Sequence, residues 1–276
     1  MDIVNWQPRK VVMARLSMCL RNATKAKSPF RSPLEATMKR VLISAALLAL
    51  MACTASAAGL NLAWSECVGG GGPSNDAFAC NNNTASHILV GSYFPPAGMT
   101  AVNSNEIVVD LQTNQAVLSP WWTMGTTGCP GRTGTPTGDF NFTSGPFGCF
   151  DYWAGNASGG ANYYPGVGGP NRARILLVCA ISEALAGPLD PNVETYSFKC
   201  SISSARTVGT LACPGCTDAA CIVLNNIKVI QNPGLPARDV SNPAVTNIAR
   251  WRGGLTDCSV TPAKNTTWGS VKALYR

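Results

Sequence analysis

Ten cysteines downstream of residue 57 constrain this chain more than any other feature. Of its twelve cysteines, Cys19 and Cys53 come earlier, which leaves Cys67, Cys80, Cys129, Cys149, Cys179, Cys200, Cys213, Cys216, Cys221 and Cys258. Just before them lie Met38-Lys39-Arg40, an apolar run over 41–52 and the small-residue site Ala55-Ser56-Ala57. That is the layout of a secretory signal, with the mature chain starting at Ala58. In an oxidising compartment an even set of thiols pairs, so five disulfides are expected. Sequence does not fix connectivity; proximity along the chain suggests Cys67 with Cys80, Cys129 with Cys149, and Cys179 with Cys200.

Cys213-Pro214-Gly215-Cys216 invites two sharper readings. A redox Cys-x-x-Cys should open a helix whose N-terminus lowers the first thiol's pKa, but the β-branched run Cys221-Ile222-Val223-Leu224 follows. A zinc site could use Cys213, Cys216, Cys221 and Cys258, yet the usual second pair of closely spaced ligands is missing. Structural disulfides are the favoured reading, and no metal or cofactor is expected.

The signal also reshapes the charge balance. The net charge of +7 comes from the first 57 residues, which hold nine Lys/Arg against Asp2 and Glu35; the other 219 carry twelve bases and twelve acids. A neutral mature chain gives no reason to expect nucleic acid as a partner. Residues 1–37 read as an upstream segment outside the native protein, with an organellar transit peptide as the competing reading, and 38–57 read as the signal peptide. The apolar run of about twelve residues is too short for a bilayer core that needs roughly twenty, so no transmembrane segment is expected. Leu50-Met51-Ala52-Cys53 approximates a lipobox, which leaves a lipid anchor at Cys53 as an alternative to cleavage after Ala57.

Beyond residue 57, short runs of apolar, β-branched and aromatic residues bounded by Gly, Pro, Asn and Ser predict strands over 87–94, 106–112, 172–181, 195–202 and 221–230. Ile107, Val109 and Leu111 share one face, as a half-buried strand requires, whereas 174–178 is apolar on both faces and is expected to be central. Such a chain buries its sheets by packing them together. The expected fold is an all-β antiparallel β-sandwich, jelly-roll or immunoglobulin-like, with long disulfide-braced loops over 58–231. Residues 125–170 interrupt the strand pattern, held by the expected Cys129–Cys149 bridge. Residues 232–276 read as a linker and a tail that docks on the sandwich, where Val271, Leu274 and Tyr275 share a helical face.

Several segments together resemble a group of uncharacterised secreted bacterial β-rich proteins. They are Gly59-Leu60-Asn61-Leu62-Ala63-Trp64 running into Cys67, Phe78-Ala79-Cys80-Asn81, Cys149-Phe150-Asp151-Tyr152-Trp153, Gly169-Pro170-Asn171-Arg172-Ala173-Arg174, the Cys213 to Cys216 segment, and the ending Trp268-Gly269-Ser270-Val271-Lys272-Ala273-Leu274-Tyr275-Arg276. The resemblance spans nearly all of the mature chain and implies export and a shared scaffold, with no activity to carry over.

Reactive machinery is sparse. His87 is the single histidine, at the start of a predicted strand where a structural role is expected, and no Gly-x-Ser-x-Gly elbow is present. The glycine run 69–72 lacks the Lys of a phosphate loop. Asp139, Asp151, Glu183 and Glu194 are available as paired carboxylates for glycoside hydrolysis, and Asp139, Asn141 and Asp151 lack the spacing of a calcium loop. Trp121, Trp122, Asp151, Tyr152, Trp153, Tyr163 and Tyr164 are the candidate ligand-binding residues, because aromatic faces beside polar groups suit sugar rings. The leading reading is a non-enzymatic secreted sandwich for extracellular adhesion, surface assembly or ligand recognition, placed outside the cell, in the periplasm or on an outer surface. Its partner would be an extracellular glycan or a surface protein. A carbohydrate-binding module and a glycoside hydrolase are the alternatives.

Overall fold

The computed structural model describes residues 58–125, 128, 129, 132, 135–254 and 258. Those residues form an all-β sandwich of two sheets, antiparallel except where the edge strand Asn75–Asp76 pairs with Ile248–Trp251 in parallel. The four-stranded sheet has the order β1 (Gly59–Trp64), β3 (Ser86–Phe94), β8 (Thr195–Ser203), β5 (Thr137–Asp139). The second sheet runs β2 (Asn75–Asp76), β11 (Ile248–Trp251), β9 (Ala220–Gln231), β4 (Val102–Thr113), β7 (Arg172–Ala180), β6 (Ser158–Pro165), with β10 (Arg238–Val240) also on β9. Among neighbouring strands in the sheets, β6–β7 and β9–β10 are consecutive in sequence, and most other connections carry the chain from one sheet to the other. The helical content among the described residues is one 3-10 turn, Glu183–Leu185.

The five sequence-predicted strands are β3, β4, β7, β8 and β9, and their side-chain alternation builds the core. Ile107, Val109 and Leu111 of β4 and Ile175 and Leu177 of β7 are buried against Leu60, Leu62, Leu89 and Phe198 from the other sheet. The antiparallel register sets Ile107 opposite Leu177 and Ile227, so three neighbouring strands present apolar groups at one level. A bulge in the β3–β8 pairing at Gly91/Ser92 puts Ser197 outside the ladder and re-aims the residues beside it. Phe198 then lies across Gly91, where a Cβ would sit 2.0 Å from its ring, so only glycine fits. Asn105 on β4 reaches across the core to donate to Ser197 Oγ at 3.1 Å.

Three expectations change. Residues 174–178 bury one face only: β7 is central, between β4 and β6, but it alternates buried and half-buried positions because one face, with Ile175 and Leu177, packs into the core between the sheets. The sandwich does not stop at 231, because β10 and β11 both pair with β9, and Leu60 N–H and Leu62 N–H of β1 donate to Asn242 O and Thr246 O at 2.8 Å each. Segment 242–246 thereby occupies the free edge of β1. The 125–170 stretch contains β5, a three-residue Thr-Gly-Asp strand, and β6, whose Gly, Ser and Asn content hid it. The tail at 266–276 and the segments at 1–37 and 38–57, with Cys53, lie outside the described residues.

The disulfides are Cys67–Cys149, Cys80–Cys216, Cys129–Cys213 and Cys221–Cys258. Pairing by chain proximity fails because the crossovers bring segments 37 to 136 residues apart together. Cys213, Cys216, Cys221 and Cys258 are all oxidised, which removes both the redox and the zinc readings of that cluster. Cys179 and Cys200 stay as buried thiols. One sits on β7 and the other on β8 in the opposite sheet; packed sheets lie about 10 Å apart and a bridge needs Cα atoms within about 7 Å. Burial pushes both thiols up to about 12, leaving them poor nucleophiles.

Candidate functional site

The aromatic residues singled out in the sequence are mostly interior. Trp121 and Trp122 are 0% exposed and Trp153 1%, which leaves no indole face for a sugar ring. Trp121 Nε1 donates to Thr207 Oγ1 at 2.9 Å and Trp153 Nε1 to the Ser197 carbonyl at 3.2 Å. The hydroxyls of two half-buried tyrosines pin loops: Tyr163 donates to Trp122 O at 2.5 Å, and Tyr152 donates to Val102 O at 2.5 Å while accepting the Gly187 N–H at 2.8 Å. Tyr164 sits on β6, and Asp151 accepts the Ala154 N–H at 3.0 Å within its own turn. These seven side chains brace different parts of the sandwich and its loops; they do not line a common platform.

The carboxyl groups are likewise engaged in structure. Asp139 meets Lys199 Nζ at 2.8 Å; partial burial pushes its pKa up, but the Lys199 hydrogen bond, backbone N–H donors and the Lys199 charge outweigh this and hold it below the usual range. Asn141 turns its amide oxygen to the Thr143 N–H at 3.0 Å, so Asp139, Asn141 and Asp151 are each occupied locally. Glu183 lies in the short 3-10 turn.

Glu194 has a different setting, beside a carboxyl group the sequence reading did not select. Glu66 accepts from the Cys67 N–H at 2.7 Å, from the Phe147 and Gly148 N–H groups at 3.2 and 3.1 Å, and from the Tyr196 hydroxyl. Glu194 accepts from Asn61 Nδ2 at 2.8 Å, Ser92 Oγ at 2.6 Å and the Gly69 N–H at 2.8 Å. The Cys67–Cys149 bridge lies among these contacts. Two acids and one disulfide thus fasten the 66–72 and 147–149 loops to the four-stranded sheet. Phe142 stacks on Tyr196 with centroids 4.3 Å apart and planes 8° apart, so the loop is also held from below.

On that fastened loop the apolar side chains face water. Phe147 is 77% exposed and Phe150 50%. Phe150 belongs to this strip because its backbone forms a parallel bridge to Thr195 and its N–H donates to Glu194 O at 3.0 Å. The backbone beneath these rings is tied down by the Glu66 and Glu194 hydrogen bonds and the Cys67–Cys149 bridge. The sequence signal was the turn residues around Phe147: Gly145-Pro146 before it and Gly148 after it place it on a loop.

At another position His87 Nε2 lies 2.9 Å from Ser204 Oγ, the contact a serine nucleophile would need. Ser204 is 0% exposed, and the imidazole is packed against Phe78 and Trp251, with centroids 4.0 and 4.9 Å away. Burial lowers the His87 pKa; nearby Asp76 raises it and Arg132 lowers it further. The pair is enclosed in the aromatic core. The folded state therefore prefers neutral imidazole, while the unfolded chain takes a proton near pH 6.5. Stability is expected to be level above that pH and to fall as pH drops through it toward the lower folded pKa. Denaturant midpoints between pH 5 and 7.5 should show a slope that His87→Gln flattens; an unchanged slope would count against the neutral buried ring.

The geometry defines a disulfide-braced β-sandwich carrying a pinned, aromatic-tipped loop. The sequence matches no protein-family model and no curated protein. A solved structure similar in fold search is the cohesin module from Clostridium perfringens ATCC13124 family 33 glycoside hydrolase, at 10% identity and a TM-score of 0.29, covering 67% of this chain and 97% of that one. At that TM-score the likeness supports no argument about function. Among the described residues no helix is long and apolar enough to cross a membrane.

Proposed function

We propose that this chain is a non-enzymatic exported recognition module whose contact surface is the Phe147–Phe150 loop, engaging a protein partner at the cell surface. The observation that carries the reading is the pairing of exposed phenyl rings with a backbone fixed by Glu66, Glu194 and Cys67–Cys149. A rigid loop loses little entropy on docking, so its apolar area is available for affinity. A protein is favoured over a glycan because Phe has no polar tip, and the loop N–H groups that could meet sugar hydroxyls already donate to the two glutamates. Four disulfides among the described residues suit an oxidising compartment.

Site-specific photocrosslinking tests the reading. A benzoylphenylalanine at position 147 or 150 should give a discrete protein adduct on intact producing cells, and the same probe at Val245, 70% exposed on the 242–246 segment, should not. Phe147→Ser with Phe150→Ser should abolish retention at the cell surface while changing stability by no more than about 0.5 kcal/mol, as surface substitutions do. Equal labelling at 147 and 245 would defeat the proposal.

A further inference from the structure

Arg132 is 1% exposed and lies flat on Trp121, its guanidinium carbon 3.9 Å from the ring centroid. One nitrogen, Nη1, donates to the Ala205 carbonyl at 2.8 Å. Nε and Nη2 are buried without any hydrogen-bond partner among the described residues. A buried cation with an unused donor edge is costly, since neither water nor protein replaces its hydration.

The same chain shows what that edge is built to hold. Arg174 directs its Nε and Nη2 to Asp110 Oδ1 and Oδ2 at 2.7 and 2.9 Å, a two-point grip on two oxygens. Arg132 presents the identical edge, and among the described residues no acid fills it. Residues 111–138 contain neither Asp nor Glu, and the acids that flank this stretch, Asp110 and Asp139, already pair with Arg174 and Lys199. Trp122 Nε1, on the ring 4.9 Å from that of Trp121, is a second buried donor without a partner.

We propose that the Nε–Nη2 edge of Arg132, backed by Trp121 and held by Ala205, is a receptor for an anion that offers two oxygens in one plane: a carboxylate, or an edge of sulfate or phosphate. Nothing in the loop-recognition reading depends on it, and the two can fail separately. Although burial lowers the guanidinium pKa to about 10, with Tyr163 acting in the opposite direction, the group is still a cation at neutral pH. The near-complete enclosure of Arg132 means the anion enters through local opening, so equilibration is slow compared with a surface site.

The test is thermal unfolding of the disulfide-intact protein in sulfate, phosphate or acetate against chloride at matched ionic strength, with Arg132→Met and Arg132→Lys beside the wild type. A bound anion should raise Tm with the logarithm of its concentration above Kd, by on the order of 5 °C at a hundredfold excess, in the wild type and in neither variant. General salt effects would be the same in all three proteins; that result would overturn the proposal. Should the variants fail to fold, the wild-type Arg132 Nε–H resonance gives an independent reading: it should move saturably with the anion, and a resonance indifferent to all three anions would overturn the site. Acetate acting where sulfate and phosphate do not would assign the edge to carboxylates, and the reverse to inorganic oxyanions.

Discussion

Replacing Trp251 with alanine is expected to cost about 3–5 kcal/mol, the usual range for an interior tryptophan. Trp251 is fully buried at the end of β11 and its ring centroid lies 4.6 Å from Phe78, 4.9 Å from His87, 5.3 Å from both Trp121 and Trp122, and 5.9 Å from Trp64. Among the described residues no other ring touches so many aromatic partners from separate segments. Its Nε1 also donates to Cys216 O at 2.8 Å, so truncation both opens a cavity and orphans a buried carbonyl. Domains are stable by only about 5–15 kcal/mol, and the midpoint of urea unfolding should fall accordingly. Trp251→Phe keeps ring packing and loses the hydrogen bond, so its cost should be well under half that of Trp251→Ala. Similar costs for the two would mean that the hydrogen bond, rather than the aromatic cluster, holds this end of the sandwich.

Removing the Cys80–Cys216 bridge by Cys80→Ser together with Cys216→Ser should cost about 2–5 kcal/mol, the range seen for native disulfides. This bridge closes 136 residues, the longest span of the four, and so restrains the unfolded chain most in the loop-entropy account. It also anchors the segment that carries Phe78, whose ring lies 4.9 Å from Trp64, and the turn whose carbonyl receives Trp251. Near-ultraviolet circular dichroism should therefore weaken together with stability. Cys221→Ser with Cys258→Ser, which opens a span of 37 residues, should cost less. A reversed order would show that local packing outweighs chain entropy here.

The strands legible in the sequence were those with side chains that insist on a sheet. Val108, Ile107 and Val109 in β4, or Ile222 and Val223 in β9, carry alternation and β-branching that announce a strand without any neighbour. β6 reads Ser-Gly-Gly-Ala-Asn-Tyr-Tyr-Pro and β10 reads Arg-Asp-Val; these become strands because a partner's backbone is waiting, a cause that local composition does not record. The same limit applies to the cysteines, whose partners are chosen by crossovers between sheets. In the candidate site the largest aromatics were selected for their faces, yet size is what makes Trp121, Trp122 and Trp153 worth burying. Phenylalanine ordinarily belongs inside, so composition alone does not single out Phe147 and Phe150 as exposed. Glu66, one residue before Cys67, gave no signal, because its role depends on where Phe147 and Gly148 arrive in space.

The bridge pattern has a consequence for how the chain is made. Emerging N-terminus first, it presents Cys67 and Cys80 as a ready couple long before Cys149 or Cys216, their native partners, have appeared. An oxidase that joined thiols in order of arrival would lock in a mismatch, and thiol–disulfide exchange would have to undo it. Faithful biogenesis therefore calls either for oxidation delayed until the sheets have closed or for a shuffling catalyst that proofreads the early links. Cys179 and Cys200, withdrawn into opposite layers once folding is complete, are then out of reach of that exchange.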